Sequence, residues 1–112
     1  MVRAIPDFPR SGIKFRHVLN ISQQPGGLAL CISLLQTHFS GDLTKVDVIA
    51  CCEAGGFVFA SALALQLNVR LLLIREVGKL PPPVVSVTKP RSYISSSASD
   101  DLEEKRIEMS RA

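Results

Sequence analysis

Residues 46–81 read VDVIACCEAGGFVFASALALQLNVRLLLIREVGKLP, and this stretch decides the fold of the chain. The apolar run 46–52 is rich in β-branched residues, which is typical of a strand covered on both faces. Residues 57–68 have a near-continuous apolar face, as in a buried helix, and 69–74 form a second apolar run. Strand, helix and strand in this order predict a right-handed βαβ unit with parallel strands. The chain is therefore expected to be an α/β protein.

The residues of this unit that could carry chemistry are expected at one edge of the sheet. Gly55 and Gly56 follow the first strand, and Arg75 and Lys79 follow the second. Ligands of open α/β sheets bind outside the carboxyl ends of the strands, so a site is predicted there. The two glycines predict a tight turn with exposed N–H groups, which can attract an anion together with the helix N-terminus. From the residues alone, a strand-to-helix turn without a ligand is the favoured alternative, and the cations could be a solvated strand end.

The segments outside this unit give weaker predictions. Residues 1–14 are expected to form an irregular arm, because they contain prolines and a glycine. A helix is predicted over 28–39 and is expected to pack on the sheet edge. A strand is predicted over 84–88, and residues 102–112 could form either a ribbon strand or a frayed helix. The 112 residues predict a single domain, in which 81–112 form a flexible segment.

Composition narrows the class of partner. A net charge of +3 with scattered Lys and Arg favours small anionic ligands over nucleic acid. Polar residues interrupt the longest apolar stretch, so no membrane span is expected. The three cysteines lack Cys-x-x-Cys spacing and the histidines lack partners at metal spacing, so neither a disulfide framework nor a metal site is predicted. Cys51 and Cys52 are expected to pack as small buried hydrophobes in a reducing, cytoplasmic compartment.

Three segments resemble, in order and spacing, motifs of the adenine phosphoribosyltransferases. They are DFPRSGIKFRHV at 7–18, CEAGGFVFASALA at 52–64 and LIREVGKLP at 73–81, within a resemblance that covers roughly residues 5–94. It implies an incomplete phosphoribosyltransferase-type, Rossmann-like parallel sheet with flanking helices and a mobile hood ribbon. The reaction it implies transfers phosphoribose from phosphoribosyl diphosphate to a purine base, with assistance from Mg²⁺.

The resemblance also implies roles for individual residues. The purine pocket would be formed by Lys14, Phe15 and Arg16, with Phe15 as the ring contact, although Phe15 could instead anchor the arm to the core. Tyr93 would belong to the hood loop that closes over the substrate and excludes water, or it could be a lone surface aromatic. The diphosphate would be bound by Ala54, Gly55, Gly56, Arg75 and Lys79.

The chain also departs from the family pattern. Gly55 stands where the family has an arginine, whose charge-assisted hydrogen bonds are worth roughly 1.5–3 kcal/mol, or about one to two orders of magnitude in affinity. Glu76 stands where a basic residue is common, and His17 where an aspartate is usual. The family's later strand, with two acids and a Thr-Gly-Gly-Thr-like loop that holds the ribose phosphate, has no counterpart here, and Asp100-Asp101 does not replace it.

These departures predict a weak or inactive enzyme as the chain stands. The alternatives are a non-catalytic accessory or regulatory protein in a biosynthetic pathway, and a fragment of a longer enzyme. A truncated sheet exposes a strand edge, so a homodimer or a partner chain is expected.

Overall fold

The computed structural model describes residues 2–89 and 105–111, and all structural statements below concern these residues. Within these residues there are two α-helices, α1 and α2, which are joined to the strands by turns and two short 3₁₀ segments. In chain order the elements are β1 (Arg3–Pro6), β2 (Lys14–His17), a 3₁₀ segment (Leu19–Gln23), α1 (Gly27–His38), a second 3₁₀ segment (Leu43–Lys45), β3 (Val48–Cys52), α2 (Gly55–Leu67), β4 (Arg70–Glu76), β5 (Val84–Lys89) and β6 (Lys105–Ser110).

The main sheet has four strands in the order β3-β4-β6-β5. β3 and β4 are parallel and joined through α2, as the βαβ prediction requires. β6 runs antiparallel to both β4 and β5, so the sheet is mixed. The α/β class is thus confirmed, and of the two alternatives for the end of the chain the structure shows the ribbon strand.

α2 begins earlier than the sequence indicates. The chain bends at Glu53 and Ala54, which are joined by a cis peptide bond, and Gly55 is already the first helical residue. Neither Gly55 nor Gly56 has a positive φ, so the predicted glycine turn is wrong, because the change of direction occurs before the glycines. At the other end Asn68 adopts a left-handed conformation with φ 56° and caps the helix, as expected.

α2 covers one face of β3 and β4. Ala60 and Ala64 are buried, and their small side chains allow α2 to approach the sheet closely. Cys51 is 7 % exposed on this face, and burial raises the pKa of its thiol. Cys52 points to the opposite face and is exposed, so the prediction that both thiols are buried is wrong for Cys52.

Two further expectations are corrected. α1 packs mainly against α2 and the 3₁₀ segment before it, and not on the sheet edge. The N-terminal arm is not irregular, because β1 and β2 form an antiparallel hairpin with Ile5 opposite Phe15. In the part of the chain that the structure describes, neither helix is long and apolar enough to cross a membrane.

Candidate functional site

The candidate site lies where β3 and β4 end and α2 begins. Arg75 at the end of β4 places Nη2 3.3 Å from Oε2 of Glu53, the first residue after β3. Lys79, three residues beyond β4, places Nζ 3.4 Å from the same oxygen. The parallel pairing of β3 and β4 therefore brings the two predicted cations to the same edge as the loop before α2.

Glu53 is the centre of this cluster. Its Oε1 accepts the backbone N–H of Glu76 at 2.6 Å, while Oε2 faces both cations. This N–H lowers the pKa of the Glu53 carboxyl, the guanidinium of Arg75 and the ammonium of Lys79 lower it further, and partial desolvation opposes them. The carboxylate is consequently ionised at neutral pH and neutralises part of the positive charge.

Sequence reasoning did not identify Glu53 as a site residue. The available signal was its position directly after a buried strand, since two cations follow the adjacent strand and parallel strands end at the same edge.

Arg75 is held from two sides. Its guanidinium carbon lies 6.0 Å from the ring centroid of Phe57, in the first turn of α2, which is a cation–π distance. Its Nε is buried and has no hydrogen-bond partner among the described residues, while the side chain as a whole is 31 % exposed. The guanidinium is therefore fixed in place and still accessible at the edge of the site.

Lys79 is positioned by a tight turn over residues 76–79. Gly78 has φ +87°, and the N–H of Lys79 donates to the carbonyl of Glu76 at 3.3 Å. The ammonium of Lys79 also lies 3.4 Å from Oε2 of Glu76. Two carboxylates thus face two cations, and the cluster carries no formal net charge.

The helix N-terminus adds the remaining attraction for an anion. The first N–H groups of an α-helix have no acceptor within the helix and carry the positive end of the helix dipole. The first turn of α2 contains no acidic residue. Gly55 lies under Leu19, because a Cβ placed on Gly55 would be 3.3 Å from Leu19 Cδ1. Ala54, Gly55 and Gly56 directly follow Glu53, the residue that contacts both cations.

The predicted purine residues lie on the hairpin. Phe15 packs edge-to-face on Phe8 with ring centroids 5.1 Å apart, and the side chains of Lys14 and Arg16 are exposed on the other side of β2. The hairpin is followed by Leu19, whose side chain lies over Gly55 at the start of α2. The contact between Phe8 and Phe15 lies within the hairpin itself. Tyr93 falls outside the described residues.

The described residues contain no group of three or more His, Cys, Asp or Glu side chains that could hold a metal ion. Mg²⁺ usually keeps several waters and is bound through substrate phosphates with one or two carboxylates. The arrangement fits a Mg²⁺ ion that arrives with the phosphates of a ligand better than one held by protein alone.

Comparison with known proteins assigns the family. A family model for the phosphoribosyl transferase domain matches residues 17–107. The adenine phosphoribosyltransferase of Synechococcus sp. (strain JA-2-3B'a(2-13)) is 38 % identical over 93 residues, which are 83 % of this chain and 53 % of the relative. The chain thus spans about half the length of the curated relatives it matches.

Solved structures agree with the sequence relatives. The adenine phosphoribosyltransferase of Thermoanaerobacter pseudethanolicus matches with a TM-score of 0.80 and 32 % identity, over 98 % of this chain and 58 % of that one. The Saccharomyces cerevisiae enzyme, crystallised with adenine and an imino-altritol bisphosphate, matches with a TM-score of 0.80 and 29 % identity, over 97 % of this chain and 58 % of that one. The chain therefore belongs to the phosphoribosyltransferase family, and within it to the adenine phosphoribosyltransferases.

Proposed function

We propose that these residues supply the diphosphate-binding part of an adenine phosphoribosyltransferase site, for the transfer of phosphoribose from phosphoribosyl diphosphate to a purine base. The observation that carries this proposal is the convergence of Arg75 and Lys79 on one point beside the N-terminus of α2. Cations and helix N–H groups together are the usual means of binding phosphate groups. The solved yeast relative was crystallised with adenine, which supports a purine as the second ligand.

The individual roles follow from position. Arg75 and Lys79 would bind the diphosphate oxygens, with the backbone of Ala54, Gly55 and Gly56 beside them. Mg²⁺ would accompany the diphosphate as a counter-ion. For the base we propose Phe15 as the stacking surface, with Lys14 and Arg16 contributing backbone groups, and Tyr93 as the residue that closes over the substrate.

Residues 1–112 alone should turn over slowly or not at all. Glu53 and Glu76 balance the charge of the two cations, and Gly55 adds none, so a diphosphate meets little net attraction. Phosphoribosyl transfer also depends on holding the reacting carbon in position, and positioning supplies much of the rate enhancement of such enzymes. No ribose-phosphate loop of the family type occurs in these residues.

The test is a calorimetric titration of the protein with Mg²⁺–diphosphate, phosphoribosyl diphosphate and adenine, combined with an assay for AMP. We expect weak binding of both diphosphates and AMP formation near the background. Lys79→Ala should weaken diphosphate binding, whereas Lys45→Ala, which removes an exposed lysine before β3, should not. Undetectable diphosphate binding by the unmodified protein would exclude the proposed site.

A non-catalytic accessory or regulatory role is the second candidate. The observation that favours it is the occupation of both cations by carboxylates of the same chain. In that case adenine should bind without diphosphate.

Our further proposals are a cytoplasmic location and assembly as a homodimer or with a partner chain. Gel filtration with light scattering can test the assembly.

A further inference from the structure

The structure assigns Glu108 of β6 as the residue that positions the turn over residues 76–79, which carries Lys79. The consequence of this role for diphosphate binding rests on the proposed function of the site. Glu108 is 6 % exposed and is the one buried charged side chain among residues 2–88 and 106–111. A buried carboxylate is costly unless it is hydrogen-bonded or paired. Its position in a central strand therefore requires an explanation.

The hydrogen bonds of Glu108 provide that explanation. Its Oε1 accepts the backbone N–H of Gly78 at 2.8 Å. Gly78 is the turn residue with a positive φ, and the next residue is Lys79. The register places Glu108 directly opposite Arg75, so both side chains lie on the same face of the sheet. The buried carboxylate thus lies between the strand position of one cation and the turn of the other.

Every backbone N–H of the turn has an assigned acceptor, and two of the four acceptors belong to β6. The N–H of Glu76 donates to Oε1 of Glu53, and the N–H of Lys79 donates to the carbonyl of Glu76. The N–H of Val77 donates to the carbonyl of Arg106 at 3.1 Å, and that of Gly78 to Glu108. The first β6 contact uses backbone and would exist with almost any side chain, whereas the second depends on Glu108. The side chain at position 108 therefore decides how firmly the turn holds Lys79 beside Arg75.

The test compares three substitutions by hydrogen exchange of the Gly78 amide and by diphosphate titration. Glu108→Gln keeps an acceptor oxygen, Glu108→Leu removes it, and Ser86→Ala alters the residue opposite Glu108 on β5 without touching the turn. A net hydrogen bond is worth about 1 kcal/mol, or about fivefold in an equilibrium constant. We expect Glu108→Leu to accelerate Gly78 exchange by about fivefold, and the other two variants to stay within about twofold of the unmodified protein. Since Glu108→Leu and Glu108→Gln both lack the charge of Glu108, their difference in diphosphate binding reports the hydrogen bond, and Glu108→Leu should bind about fivefold more weakly than Glu108→Gln.

Unchanged Gly78 exchange in folded Glu108→Leu would overturn the inference, and so would an equal loss in Glu108→Gln. If Glu108→Leu does not fold, Glu108→Asp decides, since it keeps the charge but withdraws the carboxylate by one methylene and should expose the Gly78 amide. If the unmodified protein binds no diphosphate, the proposed function fails, while Gly78 exchange still decides the role of Glu108.

Discussion

Replacing Glu53 with glutamine should strengthen diphosphate binding. The carboxylate lies 3.3 Å from the guanidinium of Arg75 and 3.4 Å from the ammonium of Lys79, so in the proposed site a ligand phosphate would compete with it for both cations. Glutamine keeps the size of the side chain and an oxygen that can accept the N–H of Glu76. The substitution therefore removes the competing charge and leaves the hydrogen bond to the backbone possible.

The size of the effect follows from the exposure of the partners. Two unit charges 4 Å apart interact with an energy of about 1 kcal/mol in bulk water and about 4 kcal/mol for a typical pair near a protein surface. The side chains of Arg75 and Lys79 are 31 % and 45 % exposed, which favours the lower value. A gain of about 1–1.4 kcal/mol corresponds to roughly fivefold to tenfold tighter binding.

The assay is a titration with Mg²⁺–diphosphate at low and high salt. Asp47→Asn is the matched control, because it changes the net charge equally but lies just before β3, at the other end of the strand. We expect the gain in Glu53→Gln alone, and we expect salt to reduce it. Weaker binding in Glu53→Gln, or an equal gain in the control, would show that Glu53 does not compete with the ligand.

Three further predictions concern the same edge of the sheet. Because its pKa is lowered, Glu53 stabilises the fold fully above the ordinary glutamate pKa and loses this contribution as pH falls through the lowered value. Acid titration of the free energy of unfolding should therefore show a smaller decrease for Glu53→Gln than for the unmodified protein. Gly55→Arg should tighten diphosphate binding about tenfold or more relative to Gly55→Ala in the same titration, since it adds charge-assisted hydrogen bonds. Gly78→Ala and Gly12→Ala should each lower the free energy of unfolding by about 1 kcal/mol or more, measured in urea, because both glycines have a positive φ and open space around the Cβ position. Only Gly78→Ala should also weaken diphosphate binding, and an equal effect of Gly12→Ala on binding would contradict the role of the turn.

The βαβ unit could be predicted because its signals are local. The runs 46–52 and 69–74 are apolar, the helix between them has a continuous apolar face, and Asn68 caps it. Parallel pairing then follows from topology, and it places the residues after both strands at one edge. The approach of Arg75 and Lys79 to the loop before α2 is a consequence of the same rule.

The parts that could not be predicted depend on contacts between distant segments. The exposure of Cys52 depends on which face of β3 is covered, and a strand sequence alone does not reveal that. The role of Glu53 as the partner of two cations depends on the residue pairing of β3 and β4, which sets the distances at their ends. The contact of Glu108 with Gly78 spans 30 positions, and a charged residue near a chain end gives no sign that it is buried.

The charge balance makes position 55 more important than a single missing contact suggests. In the family pattern that the chain resembles, an arginine at this position would give the cluster of Glu53, Glu76, Arg75 and Lys79 a net charge of +1, whereas glycine leaves it at zero. An approaching polyanion therefore loses both the direct hydrogen bonds of the guanidinium and the excess charge that draws it in, and the second loss is sensitive to salt. Glu53→Gln restores the excess charge without the hydrogen bonds, and Gly55→Arg restores both. If the two variants gave the same diphosphate affinity at low salt, net charge alone would determine binding, whereas a persistent advantage of Gly55→Arg at high salt would measure the direct contacts.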